Sequence, residues 1–460
     1  MASTYLSKTF GSGGTSNKIG TFSCWFKRSK LGQEQVLFSA NHTDGSASRS
    51  FIRIESDDTI GARTHPTAME MYTRRKFRDT NAWYHLVVAI DTTQSTASNR
   101  FKYYINGEQI TSFSTETYPA QDKTFGFGQN VLNEIGRDSY GSSNNFDGLM
   151  SHVHWIDGTQ YQASDFGETD STTGEWKIKT NPSVTYGTNG FFILKDGNSV
   201  TDQSGNTNNF TANGNLTNTE DCPSNSFATM TPLGTYDGTL SSGNTRVKTN
   251  QTNYRYIAST LGVSSGRYYW ECKLEEIGNY MLSGITDQPS FPASGVVMLG
   301  NGTYDCAIYI GNQSESGGNG HLYHSSTSNS NSTNTPGQFM AGFSQGDILT
   351  FALDLDSATK KLYIGANGSW ANGSNATNQT FDNATGVSIV TPANTNTGFY
   401  FPACGDYSGT FGHWEYNFGN GYFGTTAVSS AGTNASNIGI FEYDVPAGYT
   451  ALSTKGINSF

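Results

Sequence analysis

Several groups of residues in this sequence have types and spacings that suit chemistry. Carboxylates come first. The string "GETDSTTGEW" carries Glu168, Asp170 and Glu175, and "ESDDTI" carries Glu55 and Asp57. Cleavage of a glycosidic bond needs two carboxyl groups flanking that bond, one to give a proton and one to attack or to activate water. In "SHVHW", His152 and His154 stand two apart, on one face of a strand. Two imidazoles so placed can share a metal, but a third ligand is not identifiable. The plainer reading is a polar outer face, with Val153 and Trp155 pointing inward. No metal or cofactor is assigned.

The string "TRRKFRD" groups Arg74, Arg75, Lys76 and Arg78 in an otherwise acidic chain. Such a patch faces an anion, either on a neighbouring subunit or on an acidic glycan. The simpler expectation is a solvated edge strand, charged to block unwanted pairing. Aromatic side chains form a further group. Trp370 follows Asn367-Gly368 in "ANGSWANGSN", and Tyr407 sits in "CGDYSGTFGHWEY" near His413 and Trp414. Aromatic rings stack on the C–H faces of sugars, while amides and carboxylates take the hydroxyls. Trp370, Tyr407, His413 and Trp414 are therefore candidate ligand-binding residues, against the alternative that the tryptophans pack in a core or at its rim. No Gly-x-Ser-x-Gly elbow and no phosphate-cradling Gly-x-x-x-x-Gly-Lys-Ser/Thr string occurs, so no catalytic residue is assigned.

The elements that would position these groups are strands. In "AWYHLVVAIDTTQSTASNRFKYYINGEQI", Tyr84, Leu86, Val88 and Ile90 alternate along one face, and Phe101, Tyr103 and Ile105 do the same in the next run. A period of two predicts half-buried strands. Asn106-Gly107 predicts a type I′ turn, since both central residues need positive φ. In "GDILTFALDLDSATKKLYIGANGSW", Leu349, Phe351, Leu353 and Leu355 repeat the logic, and Asn367-Gly368 closes it. Further strands are predicted near 20–28, 35–40, 50–55, 148–156, 190–195, 267–275, 280–286, 304–311 and 398–403. "TAMEMYTRRKFRDT" is the nearest to a helical period, but its β-branched ends favour strand or loop.

The totals agree. Of 460 residues only 14% are charged, while 13% are aromatic and 53 are Gly. That profile suits many short strands joined by polar turns. The predicted fold is all-β, with two antiparallel, jelly-roll-like β-sandwich domains in tandem. The first spans 1–195, an Asn/Gly/Thr-rich connection 196–235, the second 236–425, and a tail 426–460 docks as strand or loop. Residues 324–338 read as a low-complexity loop. A net charge of −11 argues against nucleic acid as a partner. No run approaches the ~20 apolar residues of a membrane span, and the start does not read as a signal peptide. Five dispersed cysteines fit folding in a reducing cytoplasm.

Residues 1–177 resemble laminin-G/concanavalin A-like lectin domains, in a version common in tailed phages of marine bacteria. The matching strings are "GTFSCWFKRSKLG", "AWYHLVVAIDTTQSTASNRFKYYINGEQ", "YPAQ", "EIGRD", "FDGLMSHVHWIDG" and "DFGETDSTTGEWK". Residues 245–420 resemble a SPRY domain through "GVSSGRYYWECKLEE", "LSGITD", "GDILTFALDLDSATKKLYIGANGSW" and "FPACGDY". The order lectin-like, spacer, SPRY-like, short tail is similar to phage surface-fibre proteins. The resemblance implies a non-enzymatic protein of the virion surface, made in the host cytoplasm. Its implied role is a tail-fibre or receptor-binding component, or else a head-fibre or capsid decoration protein. Implied partners are other virion proteins and a host cell-surface glycan or receptor, with homo-oligomerisation, trimeric for a fibre. Glycan-cleaving members of the superfamily set their carboxylates on one strand as Glu-x-Asp-x-(x-)Glu. Here Thr172 and Thr173 stand where the second Glu belongs, so hydrolysis is not expected.

Overall fold

The computed structural model describes residues 4–41, 49–66, 68–195, 197, 199–234, 238–249, 255–289, 298–311, 319–324, 338–406 and 411–460. The chain is nearly all β, with 42% strand and 4% helix. It divides into two compact units, Met1–Ser224 and Asn225–Phe460.

In the first unit an eight-stranded antiparallel sheet runs in the spatial order Phe113–Thr117 (β10), Glu70–Lys76 (β6), Thr59–His65 (β5), Arg49–Ile54 (β4), Gln35–Asn41 (β3), Leu132–Ile135 (β11), Tyr5–Thr9 (β1), Thr211–Asn213 (β16). A six-stranded sheet packs on it in the order Phe191–Ile193 (β15), Gly148–Asp157 (β12), Ile19–Arg28 (β2), Tyr84–Asp91 (β7), Phe101–Ile105 (β8), Glu108–Ile110 (β9). Gly167–Thr169 (β13) pairs with Trp176–Ile178 (β14). Leu6, Phe38, Ile52, Ala62 and Met71 of the first sheet meet Phe22, Phe26, Leu86, Val88 and Ile90 of the second in one buried core. Phe22 stacks on Phe38 with ring centres 5.1 Å apart. Residues 70–76 are strand, one of the two outcomes, strand or loop, expected of that segment. Asn106 (φ 48°) and Gly107 (φ 84°) make the expected left-handed turn.

One expectation for this unit is corrected. β7 is not half-buried: all eight of its residues are buried. Val87 and Ala89 on its reverse face, with Tyr104 of β8, pack with Ile156, Ala163 and Phe166. The β13–β14 hairpin lies over this face as well, where Trp176 Nε1 donates to His85 Nδ1 at 3.0 Å. Gly107 makes room for that indole, since a Cβ there would sit 2.5 Å from the Trp176 ring.

The segment read as a connection is shared between the units. Its part up to Ser224 belongs to the first. β16 pairs with β1, and Phe210 enters the core. Asp221 forms an ion pair with Lys27 at 2.7 Å, both side chains 3% exposed.

The second unit holds a ten-stranded sheet. Its main path is Gly238–Ser241 (β17), Arg246–Thr249 (β18), His413–Asn417 (β30), Arg267–Glu276 (β20), Ile348–Asp354 (β24), Lys361–Ala366 (β25), Ser369–Ala371 (β26), Thr377–Gln379 (β27). Val387–Ser388 (β28) joins β25, and Thr450–Ala451 (β33) joins β20 in parallel. A five-stranded sheet runs Arg255–Ala258 (β19), Phe401–Asp406 (β29), Leu282–Thr286 (β21), Cys306–Tyr309 (β22), Leu322–His324 (β23). Tyr422–Phe423 (β31) pairs with Thr426–Ala427 (β32). The predicted faces hold: Leu349, Phe351, Leu353, Leu355, Leu362 and Ile364 all lie in the core. Residues 325–337 of the low-complexity loop lie outside the described residues.

Three buried carboxyl groups in this unit have raised pKa values, chiefly because burial disfavours the charged form. Asp305 is pushed up to about 6, and Asp406 and Glu271 to about 7. An unfolded carboxyl loses its proton near pH 4, whereas these folded ones keep theirs longer. The folded state therefore binds more protons between those limits, and its stability falls as pH rises from about 4 to about 7. Asp406→Asn, neutral at every pH, is expected to remove part of that slope. Thermal unfolding of the full chain should show it unchanged near pH 4 and stabilised by about 2 kcal/mol at pH 8. An identical slope in the variant would count against a protonated Asp406.

A polar outer face on the eight-stranded sheet as candidate binding site

The antiparallel register arranges side chains in rows across the eight-stranded sheet. One row reads Leu6, Ile135, Phe38, Ile52, Ala62, Met71 and faces the core. The next reads Ser7, Glu134, Ser39, Phe51, Arg63, Glu70 and faces outward. Arg53, Gly61 and Tyr72 form a second outward row, and Asn41, Arg49 and His65 a third. Gly61 is required there, because a Cβ would meet the Tyr72 ring at 2.5 Å and Glu55 Oε1 at 2.6 Å.

This face is a lattice of arginines, carboxylates and rings. Arg53 forks onto both oxygens of Glu55 at 2.8 and 2.7 Å and reaches Glu34 at 2.8 Å. Burial lowers its pKa, but those carboxylates outweigh burial and hold it above its ordinary range. Arg137 grips Glu134, which raises its pKa, and lies 3.3 Å over the Tyr5 ring. Arg63 pairs with Glu70 and Arg49 with Asp138, each at 3.0 Å. Arg49 and Arg53 cover the Phe51 ring from 5.5 and 4.9 Å. Arg53 on Glu55 and Arg137 on Glu134 are two-pronged pairs, in which a planar guanidinium fixes the carboxylate's geometry.

One ring on this face is open. Tyr140 is 50% exposed, with the Arg49 guanidinium 5.2 Å from its centre. Its loop is pinned to the sheet: Ser139 N donates to Ser39 Oγ at 2.8 Å, and Ser139 Oγ donates to Asn41 Oδ1 at 2.9 Å. Asp138 Oδ1 accepts from Tyr140 N at 3.1 Å. An exposed ring beside fixed donors and acceptors is what a sugar requires: a platform for its C–H face and partners for its hydroxyls.

The residues singled out from sequence fare differently. Trp370 and Trp414 are core residues, 5% and 0% exposed, so neither is a sugar platform. The two-residue turn at Asn367-Gly368 returns the chain at once into β26. Trp370 there crosses Gly365 and packs its ring 4.9 Å from Phe381. Trp414 lies on the inward side of β30. His413 is also buried, with Nδ1 3.3 Å from Glu276; desolvation and then Lys248 and Arg246 lower its pKa. Tyr407 lies outside the described residues.

Arg74, Arg75, Lys76 and Arg78 are all exposed. Arg78 differs from the others by pairing with the buried Asp58 at 2.8 Å. β10 pairs with Glu70–Thr73 of β6, and that ladder stops before the cations. The two histidines do not form an outer polar face. A register shift at His152 (φ 48°) interrupts the pairing, and His154 is 2% exposed with its ring 4.0 Å from that of Phe192. Val153 and Trp155 do point into the core.

The carboxylate strings serve local structure. Glu55 binds Arg53, and Asp57 accepts from the Thr59 hydroxyl at 2.7 Å. Asp170 accepts from Lys177, and then from Thr173 N and Thr172 N, which hold its pKa well below the usual range. Among the described residues no group of three or more His, Cys, Asp or Glu is arranged to hold a metal. No helix among the described residues is long and apolar enough to cross a membrane. Tyr140, Arg49 and Arg53 were not candidates from sequence. Their one signal is the Arg-Ser-Phe-Ile-Arg-Ile alternation of β4, which sets Arg49, Phe51 and Arg53 opposite Ile52 and Ile54.

Residues 3–164, which include most of this face, match the laminin-G branch of the concanavalin A-like lectin/glucanases superfamily. They form a concanavalin A-like lectin-fold domain. Folds of this type are generally binding domains. No curated protein matches the chain. Among solved structures, the SPRY domain of human HERC1 is similar at 17% identity, covering 37% of this chain and 86% of that one, with a TM-score of 0.25. The heptameric SAP-like pentraxin of Limulus polyphemus is similar at 14% identity, with 35% and 71% covered and a TM-score of 0.27. The TRIM65 PSpry domain is similar at 12% identity, with 41% and 87% covered and a TM-score of 0.27.

Proposed function

We propose that the chain is a non-enzymatic, receptor-binding protein of a tailed-phage virion surface, acting as a tail-fibre component that recognises a host cell-surface glycan. The observation that carries the binding half is the exposed Tyr140 ring set beside Arg49 on a pinned loop, over a sheet face whose polar groups are already fixed. Pre-organised donors and rings lower the ordering cost of binding. The virion half is supported by the resemblance of the quoted strings, and by the order of a lectin-like module, a SPRY-like module and a short tail. On this reading the protein assembles with other virion proteins as a homo-oligomer.

Purified protein is expected to adhere to host cells or host glycan. Tyr140→Ala is expected to weaken that adhesion about tenfold, the scale of one lost ring contact with its cation. Unchanged adhesion would remove this face from the reading. Antibody labelling of intact virions separates the tail-fibre role from a head-fibre or capsid decoration role. Release of reducing sugar from host polysaccharide would overturn the non-enzymatic part.

A further inference from the structure

The cations of the outer sheet face fall into two kinds. Arg49, Arg53, Arg63 and Arg137 are each engaged by a carboxylate. An incoming anion there would have to displace one, in partly desolvated surroundings. Arg74, Arg75 and Lys76 are exposed and form no ion pair among the described residues. Lys76 acts only at longer range on Asp57, whose pKa is lowered mainly by its bond from the Thr59 hydroxyl.

Their position is built. Arg74 follows Glu70 and Tyr72 along the outward side of β6. The pairing of β6 with β5 then slips: Gly61 is opposite Tyr72, yet Thr59 is opposite Lys76. The extra residues form a bulge that presents three cations in succession. The Thr73 hydroxyl locks it, donating to Arg75 O at 2.9 Å and accepting from Ile60 N at 3.0 Å. Arg75 lies 5.7 Å over the Phe77 ring. Bulges re-aim side chains beside functional sites. The ladder to β10 ends at Thr73, so the bulge and its cations stand past the neighbour that covers the rest of β6.

We infer that the β6 bulge is an anion subsite, and that the glycan bound on the adjoining face carries sulfate or carboxylate groups seated on Arg74, Arg75 and Lys76. This rests on the reading of that face as a glycan site. A chain of net charge −11 repels polyanions at a distance, so attraction has to come from a cluster acting within a Debye length, about 8 Å at physiological salt.

The test compares the full chain with an Arg74→Gln/Arg75→Gln/Lys76→Gln variant and with Tyr140→Ala, on immobilised dextran sulfate, polygalacturonate and dextran. The substituted residues are exposed, and an unchanged melting temperature would verify folding. The unaltered protein is expected to retain one or both anionic polymers, to release them in 1 M salt, and to ignore dextran. The triple variant should bind about tenfold less. Retention of dextran sulfate alone names sulfate, and of polygalacturonate alone names carboxylate. Equal binding of dextran that Tyr140→Ala weakens leaves the glycan face standing and overturns this inference. Retention of no polymer, or binding by the triple variant equal to the original, overturns it too.

Discussion

Near pH 6, below its raised pKa, Glu271→Gln is expected to loosen the C-terminal segment of the second unit, at a cost of about 2 kcal/mol for a buried donor left without an acceptor. The carboxyl group is fully buried, and every group that touches it is a donor. Tyr269 Oη and Tyr443 N reach Oε1 at 3.0 and 2.9 Å, while Glu442 N and Asn417 Nδ2 reach Oε2 at 2.9 and 3.3 Å. A glutamine supplies one acceptor oxygen, so its amide hydrogens confront Tyr443 N on one side, or Glu442 N and Asn417 Nδ2 on the other, whichever way it is turned. One of the two tail amides, Tyr443 N or Glu442 N, then loses its acceptor. Thermal unfolding should show a destabilised second unit, and limited proteolysis should cleave earlier within residues 426–460. Equal melting and equal protection would mean that β33 and the packing of Phe441 hold the tail without the clamp.

Lys27→Met is the second large effect, expected to cost about 3–5 kcal/mol in the first unit. Lys27 sits on the side of β2 opposite Phe26 and pairs with Asp221, which also accepts from Trp83 Nε1 at 2.9 Å. Removing the ammonium leaves a carboxylate stranded out of water. Lys27→Met/Asp221→Asn removes both charges and should recover most of the loss. Denaturant unfolding of the two single variants and the double variant gives the coupling between them. Losses that simply add would show that the pair contributes no more than its separate packing.

Much of the fold was legible in the sequence because its signals are local. Alternation of Leu349, Phe351 and Leu353 needs only one strand to be read, and Asn106-Gly107 needs only four residues. The candidate site was not legible for the opposite reason. Its outward row draws Ser7, Glu134, Ser39, Phe51, Arg63 and Glu70 from six strands, and only the register unites them. Trp370 shows the converse error. A tryptophan after Asn-Gly-Ser looks like a loop tip, yet a tight turn spends no residues before the next strand begins. What makes it a core residue is its packing on Tyr269 and Phe381, with ring centres 6.4 and 4.9 Å away. β7 was read as half-buried because its outer cover, Ala163 and Phe166, lies more than seventy positions away.

The strand at Thr211–Asn213 bears on how the lectin-fold half can be handled as a separate piece. A gene fragment cut after residue 164 would forfeit that strand together with Phe191, Ile193 and Phe210, which plug the interior. The bared margin of β1 would then solder itself to neighbouring molecules. A cassette meant for transplantation runs on to Ser224.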